Sequence, residues 1–291
     1  MSSQRTVLIT GCSDGSLGSH LAHGFHKAGW RVFASGRDLA KMKKAKESGM
    51  ETVQLDTLSD DSISKCVSQV EKLTSGSLDV LVNNAGGGYS MPVLDIDIDK
   101  ARKLFDLNVW SLISVTRAFF PLLRQSSHGG VVVNNTSCQA VTAGTMPFAG
   151  AYSASKAAAA SLTEALRLEL EPFGVKVVNL VTAALQSNFF SNLAVDSLPP
   201  DSVYNVAKEA VEKAMAGSDT EDKGDPEVWA AGVVKSVSKR QPPYWVWGGK
   251  YATVMRLASI LPIGFLDFAM KKVVGLDVVE RNVKEQGVAK S

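Results

Sequence analysis

Tyr152 and Lys156 stand four positions apart in the run Tyr152-Ser153-Ala154-Ser155-Lys156, and on a helix that spacing sets a phenol and an ammonium on one face. A free phenol titrates near about 10, and a neighbouring fixed cation favours the phenolate. Lys156 is therefore expected to lower the Tyr152 pKa and make its proton deliverable near neutrality. Such a pair also arises by chance on a solvated helix. Its weight comes from what precedes it: an apolar run ending in Ser137, the segment Phe105-Asp106-Leu107-Asn108-Val109, and a glycine-rich turn at Gly11.

That turn reads Thr10-Gly11-Cys12-Ser13-Asp14-Gly15-Ser16-Leu17-Gly18, after a strand and before a helix. In that setting backbone N–H groups and a helix N-terminus cradle a pyrophosphate. Gly11 is expected to make the tight turn, Gly15 to let the backbone approach phosphate, and Gly18 to permit close packing of helix on strand, with Ser13 and Leu17 in the same cradle. The second strand runs out in Ala34-Ser35-Gly36-Arg37, with no carboxylate to bind ribose hydroxyls. Arg37 suits a 2′-phosphate instead, which favours NADP(H) over NAD. Asp38 reads as a helix N-cap. Asp56, closing the third strand, is a candidate acceptor for the adenine amine or simply a turn former. In Asn83-Asn84-Ala85-Gly86 small residues pass beneath the adenosine while the Asn84 amide satisfies backbone groups.

These residues need a scaffold, and the chain supplies alternating elements. Strand-like runs near 6–10, 30–35, 51–55, 78–83, 130–136, 175–181 and 243–247 are separated, through the first two thirds, by amphipathic or alanine-rich helical patterns. The alternation implies parallel βαβ units with right-handed crossovers. Runs such as Val80-Leu81-Val82 and Val131-Val132-Val133 are apolar on both faces, as in a sheet covered by helices on both sides. The expected fold is α/β, a doubly wound parallel sheet (Rossmann fold). It is expected to form a single domain over 1–250 with a lid insertion at about 183–225 and an amphiphilic helical extension over 251–291. For the distal half of the insertion, a surface loop without a role is an equal reading.

The 45% hydrophobic content of 291 residues is ample for such a core. A net charge of +2, with cations scattered among acids, gives no footprint for nucleic acid. Cys12, Cys66 and Cys138 are an odd set that fits a reducing compartment and reads as small buried side chains. Arg5 leads straight into the first strand without room for a signal peptide, so a cytoplasmic protein is expected. The lipophilic stretch Ala252 to Met270 is broken by Arg256, Pro262 and Asp267, too short a run to span a bilayer but able to lie on one. His20, His23 and His26 share a helix face without a Cys or carboxylate in register, and no metal site is expected.

Taken together, Thr10-Gly11 with Gly15 and Gly18, Asn83-Asn84-Ala85-Gly86, Asn108, Ser137 and Tyr152-x3-Lys156 resemble the short-chain dehydrogenase/reductase family over about residues 5–250. Thr10-Gly11-Cys12-Ser13, the Arg37 position and the amphiphilic C-terminus look like its fungal NADPH-dependent 1-acyldihydroxyacetone-phosphate reductase group. By resemblance that group includes carbonyl reductases of specialised metabolism. The resemblance implies that Tyr152 delivers a proton to the substrate oxygen while the nicotinamide delivers hydride to its carbon. Lys156 would lower the phenol's pKa and bind the nicotinamide ribose, Ser137 would hold the carbonyl oxygen, and Asn108 would orient a water that relays protons to Lys156.

Three departures from the family pattern bear on this. The glycine turn is one residue longer than usual, so Asp14 must point away from phosphate. Thr182-Ala183 stands where Pro-Gly is customary, and Ser187 is the candidate hydroxyl for the carboxamide. Ser137 precedes Tyr152 by fifteen positions, which enlarges the loop from Gln139 to Ala149, an expected substrate wall. The expected activity is reduction of a ketone or aldehyde on a lipophilic small molecule, with Met146, Phe148, Phe189 and Phe190 as an apolar rim that core packing would explain equally well. The alternative is a redox-neutral catalyst, an isomerase or cyclase, or an NADP(H)-binding sensor on the same fold. A homo-oligomer and peripheral membrane contact through the extension, at endoplasmic-reticulum or lipid-droplet surfaces, complete the expectations.

Overall fold

The computed structural model describes residues 4–141, 145–189, 196–217, 222–262 and 264–290. The strands β1 (Thr6–Ile9), β2 (Arg31–Gly36), β3 (Glu51–Gln54), β4 (Val80–Asn83), β5 (Val131–Asn135), β6 (Lys176–Thr182) and β7 (Trp245–Gly248) each fall within two residues of an expected window. They form one sheet in the order β3-β2-β1-β4-β5-β6-β7, with every pair parallel. The order reverses between β1 and β4, and the strands' C-terminal ends meet there in the crevice where doubly wound sheets bind ligands.

Successive residues of a strand face opposite ways, and the core divides accordingly. Val7 and Ile9 pack with Leu21 and Phe25 of α1 (Leu17–Lys27) and Trp229 and Val233 of α8 (Pro226–Val237). Leu8 packs with the opposite layer of α3 (Asp60–Thr74), α5 (Ser111–Arg124) and α6 (Gly150–Leu170). Local signals start these helices. Ser16 caps α1 by accepting from the Ser19 N–H, and Asp225 followed by Pro226 opens α8. The short α2 (Lys43–Glu47) follows β2, and α4 (Ile98–Phe105) runs through a π turn, Asp106–Trp110, into α5.

A third apolar cluster lies beyond the sheet's C-terminal edge. It joins Phe148, Val211 and Met215 of α7 (Lys208–Met215), and Val274, with partly buried side chains of α11 (Leu276–Lys290) packed on it. The Asn282 amide donates to Val206 O at 2.6 Å, so the end of the extension is packed on the body. Between β7 and α11 lie the short helices α9 (Ala252–Ala258) and α10 (Asp267–Val273).

Gly18 has a more specific task than packing helix on strand. A Cβ there would stand 2.5 Å from Gly11 O and 2.6 Å from Asn84 Nδ2, so its missing side chain lets α1 start directly behind the glycine turn. Gly18→Ala is expected to destabilise the fold by about 1–3 kcal/mol through this overpacking. A thermal melt checks it, and a transition as high as that of the parent would contradict it.

Candidate active site

α6 begins at Gly150, where a Cβ would stand 2.8 Å from Val93 Cγ2, so glycine allows the close start that puts Tyr152 on the first turn. One turn on, Lys156 Nζ donates to Asn135 O at 3.0 Å and lies 5.9 Å from the centre of the Tyr152 ring. The Ser137 hydroxyl, which follows the end of β5, stands near enough to the Tyr152 phenol to favour its ionised form. Ser137 Oγ also accepts from the Gln139 N–H at 3.1 Å, which caps a 3-10 turn over Cys138–Ala140. Ser153 Oγ donates to Gln139 Oε1 at 2.9 Å and fastens α6 to that turn. Tyr152 and Lys156 therefore share one helix face, as their spacing predicted, with Ser137 beside the phenol.

Asn108 sits in the π turn, where the Ser111 N–H reaches back to Asp106 O. Its amide donates to Gly87 O and to Ser155 Oγ, both at 3.0 Å, and its Oδ1 accepts from the Gly87 N–H at 2.9 Å. The side chain thus braces the segment after β4 against α6 and makes no direct bond to Lys156. Thr10, Thr57, Asn83, Asn108, Ser111 and Lys156 are among the groups around a polar cavity leaving about 10 Å³ for the centre of a water. A wider hollow of about 330 Å³ on α4 and the π turn, lined by Ile98, Phe105 and Trp110, shares no residue with the site.

A ladder of side-chain hydrogen bonds crosses the strand ends. Thr182 Oγ1 donates to Asn135 Oδ1 at 2.6 Å, Asn135 Nδ2 to Asn84 Oδ1 at 2.9 Å, and Asn84 Nδ2 to Thr10 O at 2.9 Å. Asn135 thereby joins Lys156, through its carbonyl, to the glycine turn, through its amide. Asn135, Thr182 and Ser155 were not expected as site residues. For Asn135 and Thr182 the readable signal was a polar residue closing an otherwise apolar strand at the edge where ligands bind, whereas Ser155 lies on α6. Ala183 N donates to Gly248 O at 2.8 Å, so the turn lacking Pro-Gly is pinned to β7.

Burial dominates the titrations. It pushes the Tyr152 phenol up to about 12 against the opposing effect of Ser137, and pulls the Lys156 ammonium down to about 8. Tyr152 keeps part of its surface exposed, yet the protein packed around its hydroxyl suffices for this. Burial, the largest cause at both groups, thus acts on the phenol against the lowering expected from Lys156. The small-buried-side-chain reading fails for Cys138, which is half-buried beside Ser137 with its thiol raised by burial.

In the glycine turn, Gly11 and Gly15 adopt φ of 74° and 78°, values that favour glycine. The N–H groups of Ser13, Gly15 and Leu17 meet no acceptor among the described residues, so three donors face the cradle. Asp14 points away, accepting from the Lys43 N–H at 3.1 Å and the Lys44 N–H at 3.3 Å. Asn188 closes over the turn, its amide donating to Asp14 O at 3.0 Å and its N–H to Gly15 O at 3.3 Å. Neighbouring Ser187 accepts from the Phe189 N–H at 3.4 Å. Arg37 is exposed just past β2, has no ion pair among the described residues, and its carbonyl is held by Gln54 Nε2 at 3.2 Å. Three open donors and an uncommitted guanidinium fit a dinucleotide carrying a 2′-phosphate.

Other expectations resolve locally. Asp38 caps the next turn through the Ala40 N–H at 2.9 Å, and Asp56 accepts from the Leu58 N–H at 3.1 Å as a turn former. The Asn84 amide is committed to the ladder and its backbone N–H to Thr10 Oγ1 at 2.9 Å. His23 bonds Ser19 O and Ser48 Oγ. Phe148, at φ 65°, is buried edge-on against Tyr204, whereas Phe189 lies half-buried with its ring 5.6 Å from that of Tyr152. Met146 packs on the same cluster as Phe148. Phe190 and residues 142–144 of the substrate-wall loop lie outside the described residues.

Comparison with known proteins agrees with this geometry. The family model for short chain dehydrogenase matches residues 5–198. A short-chain dehydrogenase/reductase of Pestalotiopsis microspora is 44% identical over 288 residues, 98% of this chain and 99% of that one. The NADPH-dependent 1-acyldihydroxyacetone phosphate reductase of Schizosaccharomyces pombe is 32% identical over 290 residues, 95% of this chain and 96% of its own. Among solved structures, a short-chain dehydrogenase from Streptomyces avermitilis superposes with a TM-score of 0.76 at 26% identity, covering 97% of this chain and 98% of its own.

The burial of Lys156 has a thermodynamic signature. Its folded pKa of about 8 lies below the ordinary 10.5, so between those values the unfolded chain binds a proton that the folded chain does not. This lysine therefore makes folding more favourable as pH rises through that window, by an amount on the order of a few kcal/mol. Lys156→Met is expected to flatten that rise in denaturant titrations. Identical slopes of stability against pH in the two proteins would contradict it.

Proposed function

The chain belongs to the short-chain dehydrogenase/reductase family, and from that premise we propose that it reduces a ketone or aldehyde on a lipophilic small molecule to the alcohol with NADPH. The observation that carries the reading is the hydroxyl pair of Tyr152 and Ser137 within one buried site that also holds the Lys156 ammonium. NADPH is supported by Arg37 at the strand end where a carboxylate would favour NAD, and by the NADPH dependence of the Schizosaccharomyces pombe relative. When bound, the cofactor supplies the hydride that reaches the carbonyl carbon.

The protein's part is proton delivery and orientation. Ser137 donates to the carbonyl oxygen and steadies the charge that develops there. Tyr152 gives that oxygen its phenolic proton. A phenol at about 12 is fully protonated near neutrality, and the alkoxide it meets is far more basic than the phenolate it leaves, so its raised pKa suits a donor in the reductive direction. Lys156, at about 8, is the better-matched reservoir from which Tyr152 is reprotonated. The water-sized cavity between Asn108 and Lys156 supports a relay to solvent. Phe189, whose ring lies 5.6 Å from that of Tyr152, supports a lipophilic substrate, as do Met146 and Tyr204, which pack with Tyr152 on one apolar cluster.

Tyr152→Phe is expected to lower NADPH oxidation across a carbonyl panel by about 10²- to 10⁴-fold. Full turnover in that variant would reject the proton donor. Arg37→Ala is expected to weaken NADPH at least about tenfold while leaving NADH nearly unchanged. Equal loss for both cofactors, read as the ratio of their Michaelis constants, would reject the 2′-phosphate assignment.

A further inference from the structure

Of the 21 large apolar side chains exposed among the described residues, eight fall between Tyr251 and Val273. α9 turns Ala252 and Ala258 inward and leaves Val254 and Leu257 outside. The chain beyond it adds Ile260 at 81% exposure, Phe265 at 68% and Phe268 at 74%. Isolated exposed apolar residues are ordinary on a protein surface, but eight within one short stretch of chain mark a place of interaction.

The charge around this patch is one-sided. Residues 250–273 carry Lys250, Arg256, Lys271 and Lys272 against Asp267 alone. Lys250 pairs with Asp222 and Lys271 with Glu280, which leaves Arg256 and Lys272 uncommitted to carboxylates, Lys272 Nζ lying 4.9 Å from the centre of the Phe268 ring. The patch also borders the site. α9 contacts the 3-10 turn that follows Ser137, and Val274, directly after α10, is buried in the cluster that contains Phe148 and borders Tyr152.

We propose that α9, α10 and the segment joining them dock the protein on an anionic lipid surface, with the substrate side of the site turned toward it. Both helices are seven residues long, and no described helix is long and apolar enough to cross a membrane, so the patch lies in the interface. Its apolar tips enter the acyl boundary while Arg256 and Lys272 meet anionic headgroups. A second copy seated on the patch by a two-fold axis would bring the same cations together, which disfavours that occupant. The benefit to catalysis, access to a lipid-borne carbonyl, rests on the function proposed above. The docking itself does not.

Flotation of the full chain on vesicles of phosphatidylcholine with and without phosphatidylserine tests the docking without reference to turnover. The expected result is flotation with the anionic vesicles that high salt weakens. Phe265→Ser with Phe268→Ser, and separately Arg256→Glu with Lys272→Glu, should each reduce it at least about tenfold with unchanged thermal melts. Failure to float, equal flotation on phosphatidylcholine alone, or undiminished flotation of both variants would overturn it. So would a dimer in light scattering that the double serine variant converts to a monomer.

Discussion

The Lys156 ammonium is buried with a single acceptor among the described residues, the carbonyl of Asn135, and the rest of the site is arranged around that cost. Water would satisfy all three of its protons. The protein satisfies one, which is why its pKa falls to about 8 while the phenol beside it rises to about 12. The two groups are poised against each other by desolvation and not by a close ion pair. A proton passing from lysine toward tyrosine and on to a carbonyl oxygen relieves a buried charge and quenches a developing one.

This arrangement holds because its supports are strand ends and not loops. Asn135 closes β5, Thr182 closes β6, and Asn84 follows β4, so the ladder that joins them inherits the register of the parallel sheet. Through Asn84 it reaches Thr10 and the turn whose open N–H groups face the cradle. The proton-handling pair and the dinucleotide cradle are therefore positioned by one continuous polar network, and a shift at either end is felt at the other. The π turn at Asn108 adds a second support from the helical layer, bracing the segment after β4 against α6.

The sheet was legible because its strands are apolar on both faces and glycine, asparagine or aspartate marks their ends. Tyr152, Lys156, Ser137 and the glycine turn were legible because helical periodicity and turn chemistry are local properties. Protonation was not, since it depends on how deeply α6 is covered, and Lys156 reads the same in sequence whether buried or solvated. The ladder escaped notice because Asn84, Asn135 and Thr182 lie about fifty residues apart and only the parallel register aligns them. The contact of Gly18 with the Asn84 amide was illegible for the same reason: Asn84 reaches it only in three dimensions. The extension was ambiguous because its two parts behave differently, Val274 and α11 packing on the body and α9 and α10 presenting Leu257, Ile260 and Phe268 outward.

The central claim is that a desolvated lysine sets the proton supply of a half-buried tyrosine. The pH dependence of kcat for NADPH-driven carbonyl reduction tests it most directly. The account predicts a plateau at low pH and a decline as pH rises through about 8, where Lys156 loses its proton, with that limb absent from the residual activity of Lys156→Gln. A rate that stays level to the ordinary lysine range, or a limb that persists in the variant, would contradict it.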